Sequence, residues 1–165
     1  MGIFNWLAGK AASEKSEEEK LLIDLSEAGK YLDRARKWSI LDNRPTGPKR
    51  DAVSRQYGLA ITEALKWLKE ARKRVSLIIA KLESKKTVTG YRKMGHLSDD
   101  GVEFLKLMLE IDLQLSKQIR NISTVVSLPG WLYTKEGFHS VLTSYSKRVL
   151  KYREKIKEHL KKIDD

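Results

Sequence analysis

A chain of 165 residues has the length of one domain and buries about two-thirds of its unfolded surface on folding, so it needs neither a metal nor a disulfide as a staple. Charged residues make up 33% of it and hydrophobic ones 41%, and 33 Lys and Arg stand against 22 Asp and Glu for a net charge of +11. The absence of cysteine excludes a disulfide framework, a thiolate-held zinc site and iron–sulfur chemistry, and no apolar run approaches the roughly 18–20 residues that span a bilayer.

Residues 1–15 read as a separate N-terminal segment, amphipathic or flexible, in which Ile3, Phe4, Trp6 and Leu7 precede a highly charged stretch. One reading makes residues 1–12 an interfacial anchor touching a membrane surface, or a helix that binds a partner; the other packs them on the outside of the domain or leaves them frayed. A secretory leader is not expected, because no basic, then apolar run opens the chain. Trp6 stands where a myristoylation motif needs Ser or Thr. A cytoplasmic location is the expectation. The scarcity of Asn, Gln, Met and Cys beside abundant Lys and Glu gives the chain a thermophile-like composition.

Residues 16–165 read as a single domain of four helices, at about 16–42, 48–85, 99–127 and 134–163. The first opens on Ser16 with Glu19 three residues on, a capping box that satisfies first-turn N–H groups. Its apolar ladder runs Leu21, Leu25, Ala28, Leu32, Ala35, Ser39. Ala28 and Gly29 fall opposite Ala60 and Ala64 of the next helix, which predicts a close approach of helices 1 and 2. A break at Arg44-Pro45-Thr46-Gly47-Pro48 follows, and Pro48 suits a first helical position, where its missing N–H is no loss.

The second helix carries Tyr57, Ile61, Ala64, Leu68, Ala71, Val75, Ile78 and Leu82, spaced four-three throughout. Two Gly and a β-branched run at residues 87–96 predict a loop. The third helix opens near Asp100 and Glu103, with the ladder Leu105, Met108, Asp112, Leu115, Ile119, Ile122, Val126. Pro129-Gly130 fits a type II turn. Thr134 is the candidate cap of the fourth helix, whose ladder is Phe138, Leu142, Tyr145, Val149, Tyr152, Ile156, His159, Ile163. Spacing of 3.5 residues demands helices crossing at about 20° with knobs-into-holes packing, and strand-like alternation is nowhere sustained. The fold class is therefore all-α, an up-down-up-down antiparallel four-helix bundle.

That topology gathers Lys85, Lys86, Tyr91, Arg92 and Lys93 at one end with Lys155, Lys157, Lys161 and Lys162 of the fourth helix. This is the candidate phosphate or nucleic-acid contact, with Tyr91 placed to stack on a base. Glu154, Glu158 and the acids at 17–19 are interspersed, so the competing reading is a solvated, salt-bridged face. The opposite end gathers Trp38, Arg44, Trp131 and Tyr133, a candidate protein-docking cluster of the residue types that dominate interface hot spots. The competing reading has Trp131 and Leu132 plug the bundle end.

Asp112 falls on a core ladder level with Arg72, which predicts a buried polar pair that sets helix register. No enzyme is expected. Glu136-Gly137-Phe138-His139 supplies one Glu-x-x-His where a di-iron bundle needs two, and there is no phosphate loop, dinucleotide motif or nucleophile elbow. No cofactor and no metal is implied. The function expected is macromolecular binding, nucleic-acid-associated through the basic end; the alternatives are a protein adaptor or homodimer using the aromatic end or an extra helical face, and a peripheral membrane protein.

Overall fold

A computed structural model of the chain describes residues 15–41, 48–91, 98–128 and 138–164, with side chains placed for residues 15–38, 52–84, 98–128 and 138–162. The described residues form four helices: α1 (Glu17–Leu41), α2 (Pro48–Tyr91), α3 (Asp99–Val126) and α4 (Phe138–Asp164). α1 packs against α2 and α4, and α3 packs against α2 and, most lightly, α4, so the four close a square in chain order. This is an all-α four-helix bundle. Among the described residues no helix is long and apolar enough to cross a membrane.

The capping chemistry shows why the helices begin where they do. Glu19 N–H donates to Ser16 Oγ at 3.2 Å, so one orphan donor of the first turn of α1 is satisfied. Pro48 is the first residue of α2. The cap of α3 is Ser98, whose Oγ accepts from Gly101 N–H at 3.1 Å. Asp99 and Asp100 instead occupy the first turn, where their charge suits the positive end of the helix dipole. α4 begins at Phe138 among the described residues, and Thr134 lies outside them.

Three expectations need correction. First, α2 continues to Tyr91 rather than stopping near residue 85, giving 44 residues and a length of about 66 Å at 1.5 Å per residue. β-branched residues and one Gly lower helix propensity by less than about 1 kcal/mol each, too little to end a long helix by themselves. Lys85, Lys86 and Tyr91 thus belong to the final turns of α2, and Arg92, Lys93 and His96 lie outside the described residues.

Second, the core seam of α3 keeps the expected Leu105, Met108, Leu115 and Ile122 but departs from the ladder at the positions between them. Phe104, Leu107 and Ile111 are buried as well and Gln118 is fully enclosed, while the expected Asp112, Ile119 and Val126 are only partly covered. The other three ladders are buried along their described length, with Leu82 and His159 partly covered at their ends.

Third, Gly29 makes room for α4 and not for α2. A Cβ placed on it would meet Leu150 Cδ2 at 2.8 Å and Cγ at 2.9 Å. The same close approach lets Ser146 Oγ donate to the Gly29 carbonyl at 3.0 Å. Ala28, Ala60 and Ala64 are buried in the core.

One ion cluster, with the buried Asp24 at its centre, ties α1 to α2. Asp24 is 2% exposed, and Arg74 Nε donates to its Oδ2 at 2.6 Å. Arg74 also reaches Glu17 at 3.1 Å and Glu70 at 3.9 Å. Burial pushes the Asp24 carboxyl above its ordinary value, against the pull of the Arg74 guanidinium. The same carboxylates push Arg74 upward against the opposing effect of its own burial.

Candidate polyanion-binding groove

The charge excess has to surface somewhere, and the helix faces decide where. On α1 and α4, cations pair with acids one turn away. Arg36 and Lys37 hold Asp33 at 2.9 and 3.3 Å, and Lys30 and Lys157 sit 3.8 Å from Glu27 and Glu154. Burial alone would raise the Asp33 carboxyl, but these hydrogen bonds outweigh it and hold it below its ordinary value.

α2 differs. Lys66, Lys69 and Lys73 recur at helical spacing opposite the buried ladder, and none of the three makes an ion pair among the described residues. Lys66 Nζ lies 5.5 Å from the centre of the Trp67 ring instead.

Two adjoining depressions follow the α2/α3 seam beside these lysines. One, of about 410 Å³, is lined by Lys69, Arg72, Lys73, Ser76 and Ile119. The next, of about 430 Å³, is lined by Ile61, Thr62, Leu65, Lys66, Lys69, Glu70 and Val126. Lys69 borders both, so they form one groove with an apolar floor of Ile61, Leu65, Ile119 and Val126. Four cations edge it against Glu70, which faces Arg74 as well.

Arg72 Nε and Asp112 Oδ1 are 3.5 Å apart in this seam, with the two side chains 48% and 32% exposed. The expected level is met: Arg72 is exposed and Asp112 half-buried, with the Oδ1 that faces Arg72 itself enclosed. The buried polar residues among those described are Asp24, Ser54, Gln118 and Ser146. Neither amide atom of Gln118 has a hydrogen-bond partner among the described residues.

The expected basic end is only partly described. Lys155, Lys157, Lys161 and Lys162 lie on the last turns of α4. Lys155 Nζ rests 5.9 Å from the Tyr152 ring centre and Lys157 pairs with Glu154. A third depression, between α3 and α4, alternates Glu103, Lys106, Glu110, Lys155 and Glu158, so its charges offset one another. Burial and the Glu110 carboxylate hold the Tyr152 phenol above its ordinary value there. Near the same end, the His159 ring tilts against Phe104 at 5.9 Å between centroids.

At the opposite end Trp38 is half-buried and packs against the core. Arg44, Trp131 and Tyr133 lie outside the described residues, as do Ile3, Phe4, Trp6 and Leu7. His139 Nδ1 is 3.3 Å from the Arg36 carbonyl, and Glu136 is not among the described residues. No group of three or more His, Asp or Glu able to hold a metal occurs among the described residues.

The groove lies in the middle of α2, away from the loops and chain ends where the sequence reading gathers its cations. Its signal is nonetheless present in the sequence: Lys66, Lys69 and Lys73 share one helical stripe with Arg72 beside it. No protein-family model, curated protein or solved structure matches this chain.

Proposed function

We propose that this chain is a non-enzymatic, cytoplasmic nucleic-acid-binding bundle that holds a phosphate backbone along the α2/α3 groove. The observation that supports the reading is the row of Lys66, Lys69 and Lys73, left without carboxylate partners among the described residues along a groove that Arg72 also edges. Unpaired cations at the rim release counterions from a polyphosphate without first breaking an internal salt bridge. The apolar floor offers contact area to sugars and bases, and Ser76 adds a hydroxyl donor beside the cations. Nothing in such a row reads sequence, so binding is expected to be sequence-tolerant.

The test is binding of labelled single- and double-stranded DNA across a salt series. Four phosphate contacts give a log–log slope of about −3 to −4. Lys69→Glu with Lys73→Glu is expected to weaken binding uniformly across sequences and to flatten that slope by about 1.5–2. Lys161→Glu with Lys162→Glu, at the end of α4, is expected to change it little. A slope near zero, or a larger effect from the α4 pair than from the groove pair, rejects the reading.

A further inference from the structure

α3 is apolar on two sides. Its core side carries Phe104, Met108, Ile111, Leu115 and Ile122. Val102, Leu109 and Leu113 lie on the opposite side, within an arc of about 40° at 3.6 residues per turn. They are 38%, 46% and 69% exposed. The other exposed leucine pair of a single helix, Leu59 and Leu77 on α2, is 18 positions apart with lysines and glutamates between, and makes no stripe.

The charges beside the α3 stripe are ordered along it. Asp99 and Glu103 flank its N-terminal half and Lys117 and Arg120 its C-terminal half, with Lys106 and Glu110 between. Asp99, Glu103, Lys106, Lys117 and Arg120 make no ion pair among the described residues. A parallel neighbour of the same sequence would set acid against acid. An antiparallel copy with Leu109 on the two-fold axis sets Glu103 beside Lys117 of its mate and Asp99 beside Arg120, twice over. In that register Lys106 meets the Glu110 of the mate on the same flank. Isologous contact of this kind is the commonest route to a closed oligomer.

We infer that the outward face of α3 is a self-association surface, pairing antiparallel with α3 of a second copy about Leu109. The apolar stripe supplies the buried seam, and the graded charges choose the antiparallel direction, as flanking charges do in coiled coils. α2 and α4 meet α3 on either side of its core face, so the outward face is unobstructed by the chain's own described helices. The two-fold also brings the α2/α3 grooves of both copies to one side of the pair. That consequence, unlike the pairing itself, rests on the nucleic-acid reading.

The experiment is sedimentation of the intact chain without nucleic acid, up to about 0.1 mM, beyond the range in which micromolar dimers form. The wild type is expected to dimerise. Leu109→Glu and Leu113→Glu are expected to weaken the dimer at least tenfold while circular dichroism remains that of the folded bundle, and Leu77→Glu to leave it unchanged. Glu103→Lys alone is expected to weaken it and Glu103→Lys with Lys117→Glu to restore it. Because the chain has no cysteine, a Leu109→Cys variant has one thiol, expected to cross-link to its own copy through a short bismaleimide. A monomeric wild type overturns the proposal, as does a dimer indifferent to Leu109→Glu or one the double exchange does not restore. A monomeric Leu109→Cys variant whose thiol resists alkylation until residues 1–12 are removed also overturns it, by assigning the stripe to the chain's own N-terminal segment.

Discussion

Replacing Arg74 by Met tests the strongest electrostatic feature of the bundle. The Asp24 side chain is 3% exposed and its Oδ2 receives Arg74 Nε at 2.6 Å, so methionine keeps the packing volume of the stem and leaves a carboxylate enclosed without a cation. Removing one partner of a buried pair costs about 3–5 kcal/mol. Glu17 and Glu70 also lose a contact, but both are more than a third exposed, and such pairs contribute at most about 1 kcal/mol.

The loss must depend on pH. Burial already holds Asp24 above its ordinary value in the folded protein. The stability attached to its proton is therefore complete below the unfolded carboxyl value and lost as pH rises through the folded one. Without Arg74 the folded value rises further, and the loss extends to higher pH. Urea denaturation followed by circular dichroism is then expected to show Arg74→Met several kcal/mol below wild type at neutral pH, with the gap closing on acidification as Asp24 takes up its proton. Asp24→Asn combined with Arg74→Met is expected to flatten the pH dependence of the gap. Equal destabilisation by Arg74→Met across the whole range, or a loss below about 1 kcal/mol at neutral pH, refutes the argument.

Gly29→Ala is expected to change stability by less than about 1 kcal/mol, because displacing the Leu150 side chain, which is 41% exposed and free to turn toward solvent, offsets the helix-propensity gain of about 1 kcal/mol. In a Leu150→Ala background the same change is expected to stabilise, and thermal unfolding of the four variants reads the coupling. Gln118→Leu removes two buried amide atoms that lack partners among the described residues and is expected to raise stability by about 1–3 kcal/mol, measured as a shift of the denaturation midpoint. Ser146→Ala is expected to cost about 1 kcal/mol by leaving the Gly29 carbonyl without its hydroxyl donor, by the same assay.

The fold was legible because three of the four ladders are unambiguous. Tyr57 to Ile78 and Phe138 to Ile156 are each apolar at every core position, and both are buried as spaced. α3 departs from its expected ladder at alternate positions because two four-three spacings share Met108, Leu115 and Ile122, and the one that places Asp112 and Ile119 fits the spacing as well as the one that places Ile111 and Gln118. Sequence spacing alone does not choose between these two interleaved ladders. The contacts that settle it are tertiary: Tyr145 and Tyr152 of α4 meet Asn121 and Glu110 of α3 at 2.6 and 3.5 Å, and Arg148 meets Gln114 at 2.9 Å. Gly29 illustrates the same limit. A helical glycine announces a close approach, but Leu150, 121 positions later, is what approaches.

The address of the charge was likewise hidden from counting. A chain with 33 cations has 11 more than one-to-one pairing with its 22 acids takes up, and local spacing pairs some of the rest. Glu27–Lys30, Asp33–Lys37 and Glu154–Lys157 pair within one turn of their own helices, a pattern visible in sequence. Of the acids of α2, Glu70 lies one turn before Arg74, which the buried Asp24 fixes against α1. Asp112, across the seam, reaches Arg72 at 3.5 Å. Lys66, Lys69 and Lys73 are what remains on that face after these partners are taken. The groove is therefore cationic because four cations line it against a single lining carboxylate, Glu70, which Arg74 shares from the other side of α2.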